Sequence, residues 1–208
     1  MKKRTSGKGR RPTQNAKNAA AAAGRIRLIG GDWRGRKLPV LDAQGLRPTS
    51  DRVRETLFNW LQFDIPGAHC LDVFAGTGSL GFEALSRGAS AVTFLELSKP
   101  NATQLLQNAA TLNTDHVDVI QTDSLAWLEQ PAKQSFDVVF LDPPFHQGLM
   151  QPAVDRLLAG HYLKNDQAWL YLEQEKGLDW PVLPPNWVCH REKTTSEVRY
   201  GLFCVSRH

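Results

Sequence analysis

Two short strings in this chain combine residue types that serve chemistry better than they serve packing. The first is Asp72-Val73-Phe74-Ala75-Gly76-Thr77-Gly78-Ser79-Leu80-Gly81. Glycines let the backbone come close to a ligand, and a helix opening at the end of such a turn offers free N–H groups. Gly76, Gly78 and Gly81 satisfy the GxGxxG spacing, which is weak support when it stands alone. Glu96 ends the next apolar run, where an acid can accept from both hydroxyls of a ribose. A nicotinamide dinucleotide and S-adenosylmethionine fit these residues equally well. A glycine-rich tight turn with no ligand is the structural alternative.

The second string, Asp142-Pro143-Pro144-Phe145, separates the two cofactors. A nicotinamide enzyme has no evident use for it, whereas methylation of a nucleobase amine does. The exocyclic amine of a base is a poor nucleophile because its lone pair is delocalised into the ring. Acceptors on its two N–H groups can rehybridise it, and the Asp142 carboxylate and the Pro143 carbonyl are suitable acceptors. Proline stiffens the turn, and Phe145 offers a face on which an extruded base can stack. Taken alone, the string could be an Asp-Pro-Pro turn that ends a strand. Asp123, in QTDSLAWL, can reach the amine of an adenine, or cap the helix that follows it, or both.

Other polar residues carry less. The histidines lack metal-ligand spacing, so no metal site is expected. No cysteine follows Pro144, which leaves methylation of a ring carbon without a nucleophile. His146 could touch a substrate, but the proton of a methylated amine is acidic enough for solvent to take, so no dedicated base is required. Glu173 and Glu175 alternate at a strand end and read as a solvated rim.

The elements that must position these residues alternate. Apolar runs at 69–74, 91–96, 117–121, 136–141 and 168–173 read as strands buried on both faces. Helices are expected over about 79–87, stopping at Gly88, and over 150–159. Another is capped by Ser98 with Ala102, Leu105, Leu106 and Ala109 on one face, and a short one contains Leu125, Trp127 and Leu128. Segments 187–193 and 197–205 suggest a terminal antiparallel hairpin. Trp180, Trp187 and the proline-rich stretch between them read as a packed loop. Upstream, 47–63 predicts a helix begun by Pro48 and Ser50 or Asp51, with Val53, Leu57, Trp60 and Leu61 on its apolar face. The pattern is that of an α/β protein whose mostly parallel sheet is covered on both sides. Ligands in such sheets bind beyond the carboxyl ends of the strands, where both strings fall.

Charge is divided along the 208 residues. Residues 1–54 hold 15 of the 25 Lys and Arg and three acids, a balance of +12, while the remainder is at −8. A basic front on an acidic body suggests a polyanion partner. Residues 1–24 lack the apolar stretch of a secretory signal and read as a disordered basic arm, although organelle transit peptides share its composition. Residues 25–39 suggest two short strands around a glycine-rich turn, with Arg34, Arg36 and Lys37 beside Trp33. An aromatic among cations suits single-stranded RNA, and a Trp33 that simply packs on the body is the equal alternative. Arg47, Arg52 and Arg54 cluster near the start of the 47–63 helix. Cys70, Cys189 and Cys204 sit among apolar residues, are odd in number and read as buried free thiols of a reducing compartment, here the cytoplasm. No apolar run is long enough to span a bilayer.

The order DVFAGTG, Glu96, Asp123 and DPPF resembles the class I S-adenosylmethionine-dependent methyltransferases. The strings GGDWRGRKLP (30–39) and LRPTSDRVRETLFNWL (46–61), with HREKTTSEVRYGLF near the C-terminus, resemble more specifically the RsmD family, from about residue 25 onward. That resemblance implies a Rossmann-like domain over 46–208 with a seven-stranded sheet, preceded by a small basic hairpin extension over 25–45. It implies an enzyme that methylates guanine N2 in 16S rRNA of the small ribosomal subunit. S-adenosylmethionine would contact Asp72, Phe74, Ala75, Gly76, Thr77, Gly78, Glu96 and Asp123. The base would be handled by Asp142, Pro143 and Phe145, and the RNA by Pro144, Arg34, Arg36, Lys37, Arg47, Arg52 and Arg54. DPPF is shared with enzymes acting on DNA adenine, so adenine N6 is the runner-up, and a non-catalytic RNA-binding assembly factor is the rival outside enzymes.

Overall fold

The computed structural model describes residues 24–41, 49–164 and 167–206. Most of the expected basic arm, Arg47 and the 45/46 boundary therefore lie outside the described residues. The chain begins with an antiparallel ribbon of β1 (Gly24–Arg27) and β2 (Lys37–Val40). Helix α1 (Asp51–Trp60) follows, with Ser50 capping it by accepting the Val53 N–H. Then come β3 (His69–Asp72), α2 (Ser79–Ser86), β4 (Ala91–Glu96), α3 (Lys99–Leu112), β5 (Val117–Gln121), α4 (Ser124–Leu128), β6 (Val138–Leu141), α5 (Met150–Ala159) and β7 (Trp169–Glu175). The chain closes on β8 (Trp187–Thr194) and β9 (Val198–Val205).

Seven strands form one sheet in the order β5-β4-β3-β6-β7-β9-β8. The first five are parallel, and β9 enters antiparallel between β7 and β8. Strand periodicity sorts the core into two layers. Cys70, Val138, Phe140 and Tyr171 face one way, onto Leu57 and Phe58 of α1, Phe82 of α2 and Leu105 of α3. Leu71, Val139, Leu141 and Leu172 face the other way, onto Leu128 of α4 and Val154 and Leu157 of α5. This is the doubly covered Rossmann-like sheet. Its strand order reverses between β3 and β6, and the cleft at such a reversal is where these sheets take ligands.

The N-terminal ribbon shares the first of these layers through Ile26, Leu28, Leu38 and Val40. Its turn is docked on α2 largely through backbone. The N–H groups of Ile29 and Gly30 donate to the two Glu83 carboxylate oxygens at 2.8 and 2.9 Å. Asp32 N–H donates to the Ser86 carbonyl at 2.7 Å, and Trp33 N–H to Ser86 Oγ at 3.0 Å. Gly31 is required here: its φ is +74°, and a Cβ would stand 1.6 Å from the Ser86 carbonyl oxygen. Trp33 is half-buried against the core, so packing accounts for it.

Several expectations are corrected. Leu106 is exposed, while Phe58, absent from the expected apolar face of α1, is fully buried. Only Cys70 of the three thiols is buried; Cys204 is half-buried, and Cys189 is exposed on the outer strand β8. Arg54 is 1% exposed and cannot face RNA. It donates to Asp51 at 2.6 Å and to the Thr49 carbonyl at 3.3 Å, and its guanidinium lies 3.5 Å from Glu83.

Candidate active site

Beyond the carboxyl ends of β3, β4 and β6 lies an open cleft of about 1150 Å³. Each expected cofactor residue except Gly78 lines it, as do Arg52 and the whole of Asp142–Phe145. The two chemistry-bearing strings, separated in sequence, thus face one space.

On one side the glycine turn joins β3 to α2. Gly76 and Gly78 both have positive φ, at 51° and 74°. Helix α2 begins after Gly78 without a side-chain cap, and the N–H groups of Gly78 and Gly81 are taken by the Ala75 carbonyl and Asp72. Gly78 itself lies behind the turn, where a Cβ would meet Leu105 at 2.5 Å and Phe82 at 2.8 Å. Gly81 likewise lets α2 sit on β4, since a Cβ there would be 2.2 Å from the Phe94 ring. The three glycines therefore divide the work: Gly76 faces the cleft, and the other two allow close packing.

Glu96 ends β4, and its carboxylate is already oriented. It accepts the Gly76 N–H at 2.8 Å and the Ser98 N–H at 2.7 Å. An ionised carboxylate has about four acceptor sites, so hydroxyl groups of a ribose can still be bound. Asp123 caps α4 by accepting the Ala126 N–H at 2.9 Å, and it also lines the cleft. Asp72 is buried and accepts the Gly81 N–H at 3.2 Å. Burial, opposed by that hydrogen bond and reinforced by the charge of Glu96, pushes its pKa up to about 7.

On the other side Asp142 ends β6. Its Oδ2 accepts the Thr49 hydroxyl at 2.9 Å. Burial raises its pKa well above the ordinary carboxylate range, and the charge of Glu173 raises it further, against the downward pull of the Thr49 hydrogen bond. Pro143 is buried, Pro144 is exposed and Phe145 is half-buried against the core. The turn is pinned to β7, because the His146 N–H donates to Glu175 at 2.6 Å. His146 has a φ of 62° and an exposed ring.

Sequence reasoning missed two residues of this site. Thr49 is buried and orients Asp142; nothing in the one-dimensional pattern ties it to a strand end so far along the chain. Glu173, read as part of a solvated rim, is 4% exposed and lines the cleft. Its Oε2 accepts the Tyr171 hydroxyl at 2.7 Å. Glu175 is half-buried and holds the loop after Phe145. The β8–β9 turn, from Lys193 to Val198, forms a further wall. Arg34, Arg36 and Lys37 are exposed on the ribbon and its turn, outside the cleft.

Among the described residues no group of acids, histidines and cysteines is placed to hold a metal, and no helix is long and apolar enough to cross a membrane. The arrangement offers a floor lined by carboxylates, apolar walls from Phe74, Leu97 and Leu125, and the Asp142–Pro143 corner held by Thr49.

The family described as conserved hypothetical protein 95 matches residues 26–204. The Haemophilus influenzae protein named ribosomal RNA small subunit methyltransferase D is 54% identical, covering 88% of this chain and 95% of its own length. Its Escherichia coli namesake is 46% identical, covering 88% and 91%. A candidate methyltransferase of Escherichia coli with a solved structure superimposes with a TM-score of 0.81 at 47% identity, covering 88% of this chain and 98% of its own. With its motifs gathered at one strand-order reversal and residues 26–204 matched by the family, the chain belongs to the RsmD family of methyltransferases.

Proposed function

We propose that this protein transfers a methyl group from S-adenosylmethionine to the exocyclic N2 amine of a guanine in 16S rRNA of the small ribosomal subunit. One observation carries the reading: the Gly76–Glu96 corner and the Asp142–Phe145 turn line the same cleft. The names of the relatives, ribosomal RNA small subunit methyltransferase D, support the RNA class.

When bound, S-adenosylmethionine supplies an electrophilic sulfonium methyl. The chain's own residues do the rest. Glu96 holds the ribose, Asp123 the adenine amine, and the Asp72–Thr77 turn the amino-acid end. Asp142 and the Pro143 carbonyl accept the two N–H groups of the target amine and turn its lone pair toward the methyl. Phe145 stacks on the extruded base. Solvent removes the amine proton after attack. Catalysis is then mostly orientation plus polarisation of a weak nucleophile. Arg52 at the cleft and Arg34, Arg36 and Lys37 on the ribbon contact RNA phosphates, and the substrate is the rRNA within a small-subunit particle.

The test is transfer of labelled methyl from S-adenosylmethionine to small subunits from a strain lacking this gene, followed by mapping of the product nucleotide. Label on guanine N2 of 16S rRNA is expected. Label on another base, or none with S-adenosylmethionine bound, would overturn the reading.

A further inference from the structure

The cleft floor holds a second carboxylate beside the amine-polarising set. The β6–β7 register pairs Leu141 with Leu172, so the next residue on each strand, Asp142 and Glu173, falls side by side on the same face of the sheet. Glu173 is buried, lines the cleft and is oriented by the Tyr171 hydroxyl. Two neighbouring acids, Glu173 buried and Asp142 half-buried, are costly to keep, because each loses hydration and repels the other. Here they stand where the edge of a target base would lie.

We propose that Glu173 reads the ring edge of the target base, accepting the N1–H of a guanine while Asp142 accepts an N2–H. This inference rests on the proposed guanine N2 reaction. In guanine the amine is flanked by a protonated ring nitrogen, so the edge presents donors side by side. Adenine places its amine next to a bare N1 lone pair. The two N–H donors of the guanine edge favour the ionised, accept-only state of the Asp142–Glu173 pair, whereas the adenine edge sets a lone pair against one of its carboxylates. A site that hydrogen-bonds a ligand N–H rejects an analogue lacking it far better than shape alone. Tyr171 is then a positioning residue that fixes the plane of the Glu173 carboxylate.

The test uses the full-length protein and reconstituted small subunits carrying either guanine or 2-aminopurine at the mapped target position. 2-Aminopurine keeps the C2 amine but has an unprotonated N1. The readouts are kcat/KM on each base and the affinity for S-adenosylmethionine. In Glu173→Gln, whose amide can donate to a bare N1, the preference for guanine over 2-aminopurine is expected to fall at least about tenfold, with cofactor affinity unchanged. An equal loss on both bases would overturn the proposal and leave Glu173 a purely structural role. Tyr171→Phe covers the case in which Glu173→Gln does not fold. It keeps the carboxylate, and the preference should fall about three- to tenfold; an unchanged preference would overturn the proposal. If the wild-type protein methylates adenine, or leaves guanine unmethylated, the underlying functional reading fails before any variant is compared.

Discussion

The buried acid of α2 and the acids of the cleft are built on opposite principles. Glu83, fully buried on α2, is surrounded by donors: Arg87 at 2.7 Å, Arg54 at 3.5 Å, and the Ile29 and Gly30 backbone N–H groups. At the cleft, the charges that raise Asp142 are those of Glu173 and Asp72, and the charge that raises Asp72 is that of Glu96. The same residue type is compensated in one place and crowded by like charge in the other. A compensated buried acid holds elements together, here the ribbon, α1 and α2. A group of acids crowded by like charge in a cleft marks a functional-site candidate.

Breaking one group should therefore cost stability, and breaking the other should cost activity. The largest stability effect is expected for Glu83→Ala, which leaves two arginines and two backbone donors without their acceptor. About 3–5 kcal/mol of stability should be lost by chemical denaturation. Asp142→Asn keeps an acceptor for Thr49 and removes a charge held against its preference. Its stability at pH 8 should equal or exceed that of the wild type, and a loss comparable to that of Glu83→Ala would erase the contrast.

A pH titration sharpens the same point. Asp72 has a pKa raised from an ordinary 3.8 to about 7 in the folded protein. Between those values the folded state holds a proton that the unfolded state has released, so stability falls as pH rises through this window and levels off above it. The contribution is at most about 4 kcal/mol. Asp72→Asn should flatten that part of the stability–pH curve, and an unchanged curve would mean that Asp72 is ionised throughout.

The smallest effect on stability is expected at the ribbon surface. Charge reversal of Arg34 and Lys37 should change stability by no more than about 0.5 kcal/mol. It should nevertheless weaken RNA binding and lower the slope of log affinity against log salt by about one for each phosphate no longer neutralised. An unchanged slope would assign those cations to solvent.

What the sequence disclosed follows from where each signal resides. The strand at 91–96 and the helix at 150–159 have the bounds expected of them, because buried runs and amphipathic spacing are local. The cleft residues were legible because glycines and prolines at strand ends have few other uses. Arg54 was misread because its fate is decided by Glu83, an acid on another helix. Position near a helix start cannot reveal a partner folded over it. Glu173 did carry a signal. It alternates with Tyr171 and directly follows the apolar Leu172, as Asp142 directly follows Leu141, the register partner of Leu172. Only the register makes that correspondence visible. The turn at 30–33 docks on α2 through its backbone, which no pattern of residue types discloses.

The central claim is that the cleft is a site of amine methylation organised by Asp142. Asp142→Ala should retain S-adenosylmethionine affinity within about threefold, measured by calorimetry, and lose at least about a hundredfold in methyl transfer to small subunits. Near-wild-type transfer by that variant, with cofactor bound, would contradict the account.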